Sequence, residues 1–156
     1  MFDVAALLPK ELPPLDGVLS LDAFAGRVIT IDWNAGPIVE WPSGTGPEAQ
    51  TMLPHRSATG ENGRYLSVFV PVRATRGLLW LLLDSGNLRG TLIAHSAIKD
   101  GLLPLGGSGR ALLKIGSGPG MELPYTPEAL DIDGALGTDY LKRGPVSLDL
   151  RRDALR

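Results

Sequence analysis

The chain places Asp84, Ser85 and Gly86 directly after an apolar run, Leu78-Leu79-Trp80-Leu81-Leu82-Leu83. A carboxylate is a capable general acid or base when its surroundings hold it ready. At the end of an isolated strand the same three residues are ordinary turn formers: Asp and Ser bond nearby backbone, and Gly accepts tight conformations. One carboxylate alone hydrolyses amides poorly, so its chemistry depends on what the chain brings beside it. Further along stand Asp133-Gly134-Ala135-Leu136-Gly137, then Thr138-Asp139-Tyr140-Leu141 and a strand-like Pro145-Val146-Ser147-Leu148-Asp149-Leu150.

This order of hydrophobic strand, Asp-Ser-Gly, hydrophobic-hydrophobic-Gly and closing strand resembles one lobe of the retropepsin-like aspartic proteases. The resemblance covers residues 64–156. It implies an all-β fold, a retropepsin-like acid-protease lobe with one or two short helices, and aspartic-type endopeptidase activity. In that family two carboxylates lie about one hydrogen bond apart and cannot both ionise. One keeps a proton and donates it while the other activates water. Carried onto this chain, the resemblance makes Asp84 one half of the dyad. Ser85 would brace the carboxylate turn by hydrogen bonding, and Gly86 would allow close backbone approach. Ala135, Leu136 and Gly137 would pack beneath the loop, Gly137 leaving room for it. Asn87 departs from the small residue usual after the glycine.

With one Asp-Ser-Gly in the sequence, the second carboxylate is expected from a homodimer mate or from another lobe. The expected partners are a peptide or protein substrate and a second copy of the chain. Leu102 to Ile115 is the candidate for a flap over the site. The alternative is a non-catalytic retropepsin-like lobe, or a module that binds peptides.

The chain also repeats itself. Leu15 to Trp33 and Ile132 to Leu150 align without a gap, matching Asp16/Asp133, Gly17/Gly134, Leu19/Leu136, Asp22/Asp139 and Asp32/Asp149. Such self-similarity is the mark of a duplicated unit. Ser20 stands where the second copy has Gly137. The repeat gives an expected division into residues 1–41, the back half of a truncated first lobe; 42–63, a linker rich in Pro, Ser, Gly and Thr; and 64–156, the lobe carrying Asp84. The repeated aspartates are expected as caps and strand-end residues.

Composition excludes several classes of function. At 156 residues the chain can bury a real core. Its net charge of −2, with basic residues scattered along the sequence, argues against nucleic acid. Cysteine is absent, so disulfides and thiolate metal sites are excluded. His55 and His95 stand alone and are expected as solvated or satisfied side chains. Asp131 and Asp133 begin like a calcium loop, but Ala135 breaks the ligand pattern. The glycine clusters fit no phosphate-binding motif, and no Ser sits in a G-x-S-x-G elbow. No metal or cofactor is expected, no membrane-spanning run is present, and Met1 to Val4 lacks a signal-peptide pattern.

Twenty glycines and 13 prolines favour short strands joined by turns. Strands are expected at Arg27 to Trp33, Pro37 to Trp41, Arg64 to Ala74, Leu78 to Leu83, Leu92 to Ala94, Arg110 to Ile115, Met121 to Tyr125 and Pro145 to Leu150. The run Leu78 to Leu83 reads as buried on both faces. Short helices are expected within 18–25, 95–99 and after Gly137.

Overall fold

The computed structural model describes residues 20–43, 45–47, 52–59, 66–103 and 109–151. The first copy's Asp16-Gly17 and the pair Gly106-Gly107 lie outside these residues. The described chain is all-β with short helical turns: strands β1 (Val28–Ile31), β2 (Ile38–Trp41), β3 (Arg56–Thr59), β4 (Leu66–Ala74), β5 (Gly77–Leu83), β6 (Thr91–Ala94), β7 (Gly109–Ile115), β8 (Gly120–Glu128), β9 (Gly134–Leu136) and β10 (Val146–Asp149). Helices α1 (His95–Lys99) and α2 (Thr138–Leu141) and a 3-10 turn at Leu21–Phe24 complete the elements.

Strict alternation in β4 puts Val68, Val70 and Val72 on one face, and all three are fully buried. A hairpin pairs Val72 with Leu79 and Val70 with Leu81, so the β5 leucines enter the same interior. From β5 the sheet continues through β9, β6, β8 and β7, and β7 returns to pair with β4. The six strands β4-β5-β9-β6-β8-β7 therefore close on themselves, which removes their free edges. Leu79, Leu81, Ile93, Leu113, Leu123 and Leu136 fill the inside and are inaccessible to solvent. Each such side chain contributes roughly 1.5–3 kcal/mol of burial.

Two expectations need correction. Leu78 to Leu83 is buried on one face, not both: Leu79, Leu81 and Leu83 point inward, while Leu78 is 47% exposed and Trp80 and Leu82 are half-buried. The strand belongs to a closed sheet whose outside meets solvent, and the Arg56 guanidinium covers the Trp80 ring at 3.9 Å. Residues 42–63, expected as a linker, contain β3, which pairs Arg56 with Phe69. They also contain Leu53, whose N–H donates to Ser147 O at 2.8 Å. An edge strand needs little apolar content, so composition alone hid it. β3 occupies β4 up to Phe69, and β7 takes over from Val72. Pro71, which has no N–H to lose, sits at the changeover.

A second sheet, in the order β10-β1-β2, packs onto the same core through Ile29, Val146 and Leu148. Here the two copies of the repeat meet. β1 and β10 run antiparallel with Thr30 opposite Ser147, and these residues are 117 positions apart, the repeat offset. Their hydroxyls bond at 2.7 Å, and Trp41 Nε1 donates to Thr30 Oγ1 at 2.9 Å. The 3-10 turn at 21–24 and α2 at 138–141 fall at that same offset. Among the described residues no helix is long and apolar enough to cross a membrane.

Candidate functional site

β9 lies between β5 and β6, parallel to the first and antiparallel to the second. The chain leaving β5 must therefore pass over the end of β9 to enter β6, and that passage is Asp84 to Gly90. The loop is fastened on both sides of β9. On one side Asp84 N donates to Leu136 O at 3.0 Å, and on the other Thr138 N donates to Asn87 O at 3.1 Å. The run Ala135-Leu136-Gly137 lies beneath the loop, with Ala135 and Leu136 in register with Leu82 and Leu83.

Gly137 makes this crossing possible. A Cβ there would fall 2.5 Å from Gly90 O and 2.6 Å from Asn87 O. Both are backbone atoms of the fastened loop and cannot swing aside.

Within the loop, Asp84 is half-buried at the strand end. Its Oδ1 accepts the Gly86 N–H at 3.0 Å, and its carbonyl accepts Asn87 N at 3.2 Å. Oδ2 makes no hydrogen bond among the described residues. The carboxylate is thus held by one oxygen and free at the other. A side chain on Gly86 would sit 3.3 Å from Asp84 Oδ1, crowding the bond that orients the carboxylate.

Ser85 does not brace this turn as expected. It is exposed and its hydroxyl has no hydrogen bond among the described residues, because the backbone donors of Gly86 and Asn87 already close the turn. The larger support comes from Asn87. Its amide donates to Gly90 O at 2.7 Å, and its side-chain oxygen accepts Arg89 N at 3.1 Å. Asn bonding backbone two residues on is usual turn chemistry, and that was the available sequence signal. Leu102 to Ile115, the flap candidate, is not a free hairpin in its described part. β7 lies within the closed sheet, with Ala111, Leu113 and Ile115 buried.

Two further carboxylates tie the site to its frame. Asp133 Oδ2 accepts Trp80 N at 2.8 Å, satisfying a β5 donor just before β9 begins. Asp139 Oδ2 accepts the Thr91 hydroxyl at 2.9 Å, linking α2 to the start of β6. Asp139 was expected as a helix cap, and it does lie in the first turn of α2; its side chain bonds outward to Thr91 because Gly137 brings the helix against the loop. Asp32 and Asp149 do act as strand-end residues, accepting backbone N–H groups two residues on, Asn34 N at 3.0 Å and Arg151 N at 3.2 Å.

Within the loop, Arg89 donates to Glu128 at 2.8 Å and holds that carboxyl below its ordinary range. Burial pushes the Tyr140 phenol upward. His95 is exposed, while His55 is half-buried with Nδ1 against Leu53 O at 3.0 Å. Among the described residues no group of three or more His, Asp or Glu side chains is placed to hold a metal.

Comparisons with protein-family models, with curated proteins and with solved structures found no match to this chain.

Proposed function

We propose that the chain is a retropepsin-like lobe acting in aspartic-type endopeptidase chemistry, with Asp84 as one of two carboxylates. The observation that carries this reading is the fastened crossing over β9. It presents Asp84 with Oδ1 spent on Gly86 N and Oδ2 without a partner among the described residues. A carboxylate fixed by one oxygen is oriented without being neutralised, as a group sharing a proton with a second carboxylate must be. In the reaction the ionised member removes a proton from water as it attacks the peptide carbonyl. The protonated member donates to the carbonyl oxygen and takes a hydroxyl proton back as the C–N bond breaks, while the first member passes the proton it took from water to the leaving amine.

The second carboxylate would come from a dimer mate or another lobe. Pairing with a second copy is supported by β2, which among the described residues pairs with β1 alone and exposes Ile38 and Val39 at 43% and 44%. Apolar edges of this kind recruit further strands. The competing reading, a non-catalytic lobe that binds extended peptides, is favoured by the single Asp-Ser-Gly.

Cleavage of an unfolded protein, followed against chain concentration, separates the two. A dyad built across a dimer gives a rate per chain that rises with concentration. An excess of Asp84→Asn chains then lowers activity more than dilution does. A folded chain that stays monomeric and inert at high concentration overturns the dimeric peptidase and leaves the peptide-binding reading.

A further inference from the structure

Against the second half of the Asp84 loop, Leu88 to Gly90, lies an open cavity of about 510 Å³, within the size range of small-ligand sites. Its wall begins at Leu88, one residue past Asn87, and runs across the starts of β6 and β7 and the Pro124-Tyr125-Thr126 part of β8 to α2. Three cations line it, Arg89, Arg110 and Lys142, against one carboxylate, Asp139. Asp139 accepts the Thr91 hydroxyl through Oδ2, and its Oδ1 is buried without a partner among the described residues.

The cations differ in how far they are committed. Arg89 is paired with Glu128. Arg110 touches Glu122 through Nε alone, at 3.3 Å, so its two terminal nitrogens have no partner among the described residues. The Lys142 ammonium has none either. A guanidinium fork and an ammonium on one cavity wall suit a carboxylate, the first with two parallel donors and the second as a point charge. The remaining wall is not charged: Leu88 is 57% exposed at the rim, and Pro124 and Tyr125 line the β8 side.

We propose that this cavity binds the acidic side chain of an extended peptide, Arg110 and Lys142 taking the carboxylate while Leu88 and Pro124 contact its neighbours. The assignment to a peptide rests on the function proposed above, since the cavity continues the loop that carries Asp84. The carboxylate preference rests on the cavity's own charges.

The test uses the full chain as Asp84→Asn, so that nothing is cleaved, and fluorescein-labelled peptides differing at one position, Glu, Gln or Lys. The Glu peptide is expected to bind about tenfold more tightly than the Gln peptide, the worth of one charge-assisted contact, and its advantage shrinks as salt rises. Adding Arg110→Ala and Lys142→Ala should reduce the Glu advantage below twofold while leaving Gln-peptide binding and the melting temperature unchanged. Amide resonances of Gly90, Thr126 and Lys142 should shift with the Glu peptide. Equal binding of Glu and Gln peptides, an unaltered preference in the double variant, or no peptide binding overturns the proposal. Cleavage by the wild type without a Glu preference sinks the cavity assignment and leaves the peptidase. A Glu preference without any cleavage does the reverse.

Discussion

Segments 20–32 and 137–149 carry the same motif at the same offset, yet the residue before the helical turn supports a loop in one and faces solvent in the other. Both begin a short helical turn, at Leu21 and Thr138, both contribute a strand to the same sheet, β1 at its centre and β10 beside it, and both end in an aspartate that closes a turn. They part at the residue before the helical turn. Ser20 is exposed, and its Oγ accepts Asp22 N at 3.3 Å, a modest N-cap. Gly137 occupies the matching place beneath the Asp84 loop, where no side chain fits. The second aspartates part in the same way, Asp22 being exposed and Asp139 bonded to Thr91. The motif therefore encodes a helical turn and a strand. Glycine is demanded only where a neighbouring loop presses on it.

Exchanging those two residues gives the largest expected contrast. Gly137→Ser should destabilise by about 3 kcal/mol or more, since loop or helix must move to admit the side chain. That corresponds to roughly a 10 °C fall in melting temperature for a chain of this size. Ser20→Gly should cost only a few tenths of a kcal/mol. Gly144→Ala, where a Cβ would meet nothing within 4 Å, should be near neutral. Equal losses in Gly137→Ser and Ser20→Gly would break the comparison.

Next in size is the junction between the copies. Thr30→Val strands the Ser147 hydroxyl and the Trp41 indole N–H, and should cost about 1–2 kcal/mol by denaturant unfolding. Ser147→Ala should cost less, since Thr30 keeps the Trp41 bond, and the double variant should show coupling between the two. Additive losses would mean that the hydroxyl pair does not couple β1 to β10.

The smallest effects are with pH. The buried Tyr140 phenol titrates above its ordinary value. The unfolded state therefore loses its proton first, and stability falls as pH rises past about 10. Tyr140→Phe should flatten that alkaline slope. Glu128, held low by Arg89, acts oppositely: its contribution is present above the unfolded carboxyl range and fades as pH drops through the folded value. The pair is exposed, so salt should erase most of it. An acid slope unchanged in Glu128→Gln would remove Arg89 from the account.

The strands were legible because alternation in β4 and the apolar leucines of β5 announce an inside and an outside. The repeat likewise located both helical turns and the β1 and β10 strands. Closure of the sheet through β7 and β4 was not legible, since long-range pairing leaves no local mark. β3 was missed because an exposed edge needs no apolar pattern. Asp84 and the Ala135-Leu136-Gly137 run stand out in the sequence, and the fold brings them together, Asp84 N donating to Leu136 O and Gly137 lying against Asn87 and Gly90. The bonds of Asp133 and Thr91 could not be read from the sequence, because their partners stand 53 and 48 positions away.

The most direct measurement compares the wild-type chain with Asp84→Asn, assaying cleavage of an unfolded protein from acidic to neutral pH alongside the melting temperature. Asn can still accept the Gly86 N–H through its side-chain oxygen, so the loop and the melting temperature should be preserved. It cannot act as a carboxylate. The account predicts cleavage by the wild type and its loss in Asp84→Asn at unchanged stability; cleavage that survives in Asp84→Asn would contradict it.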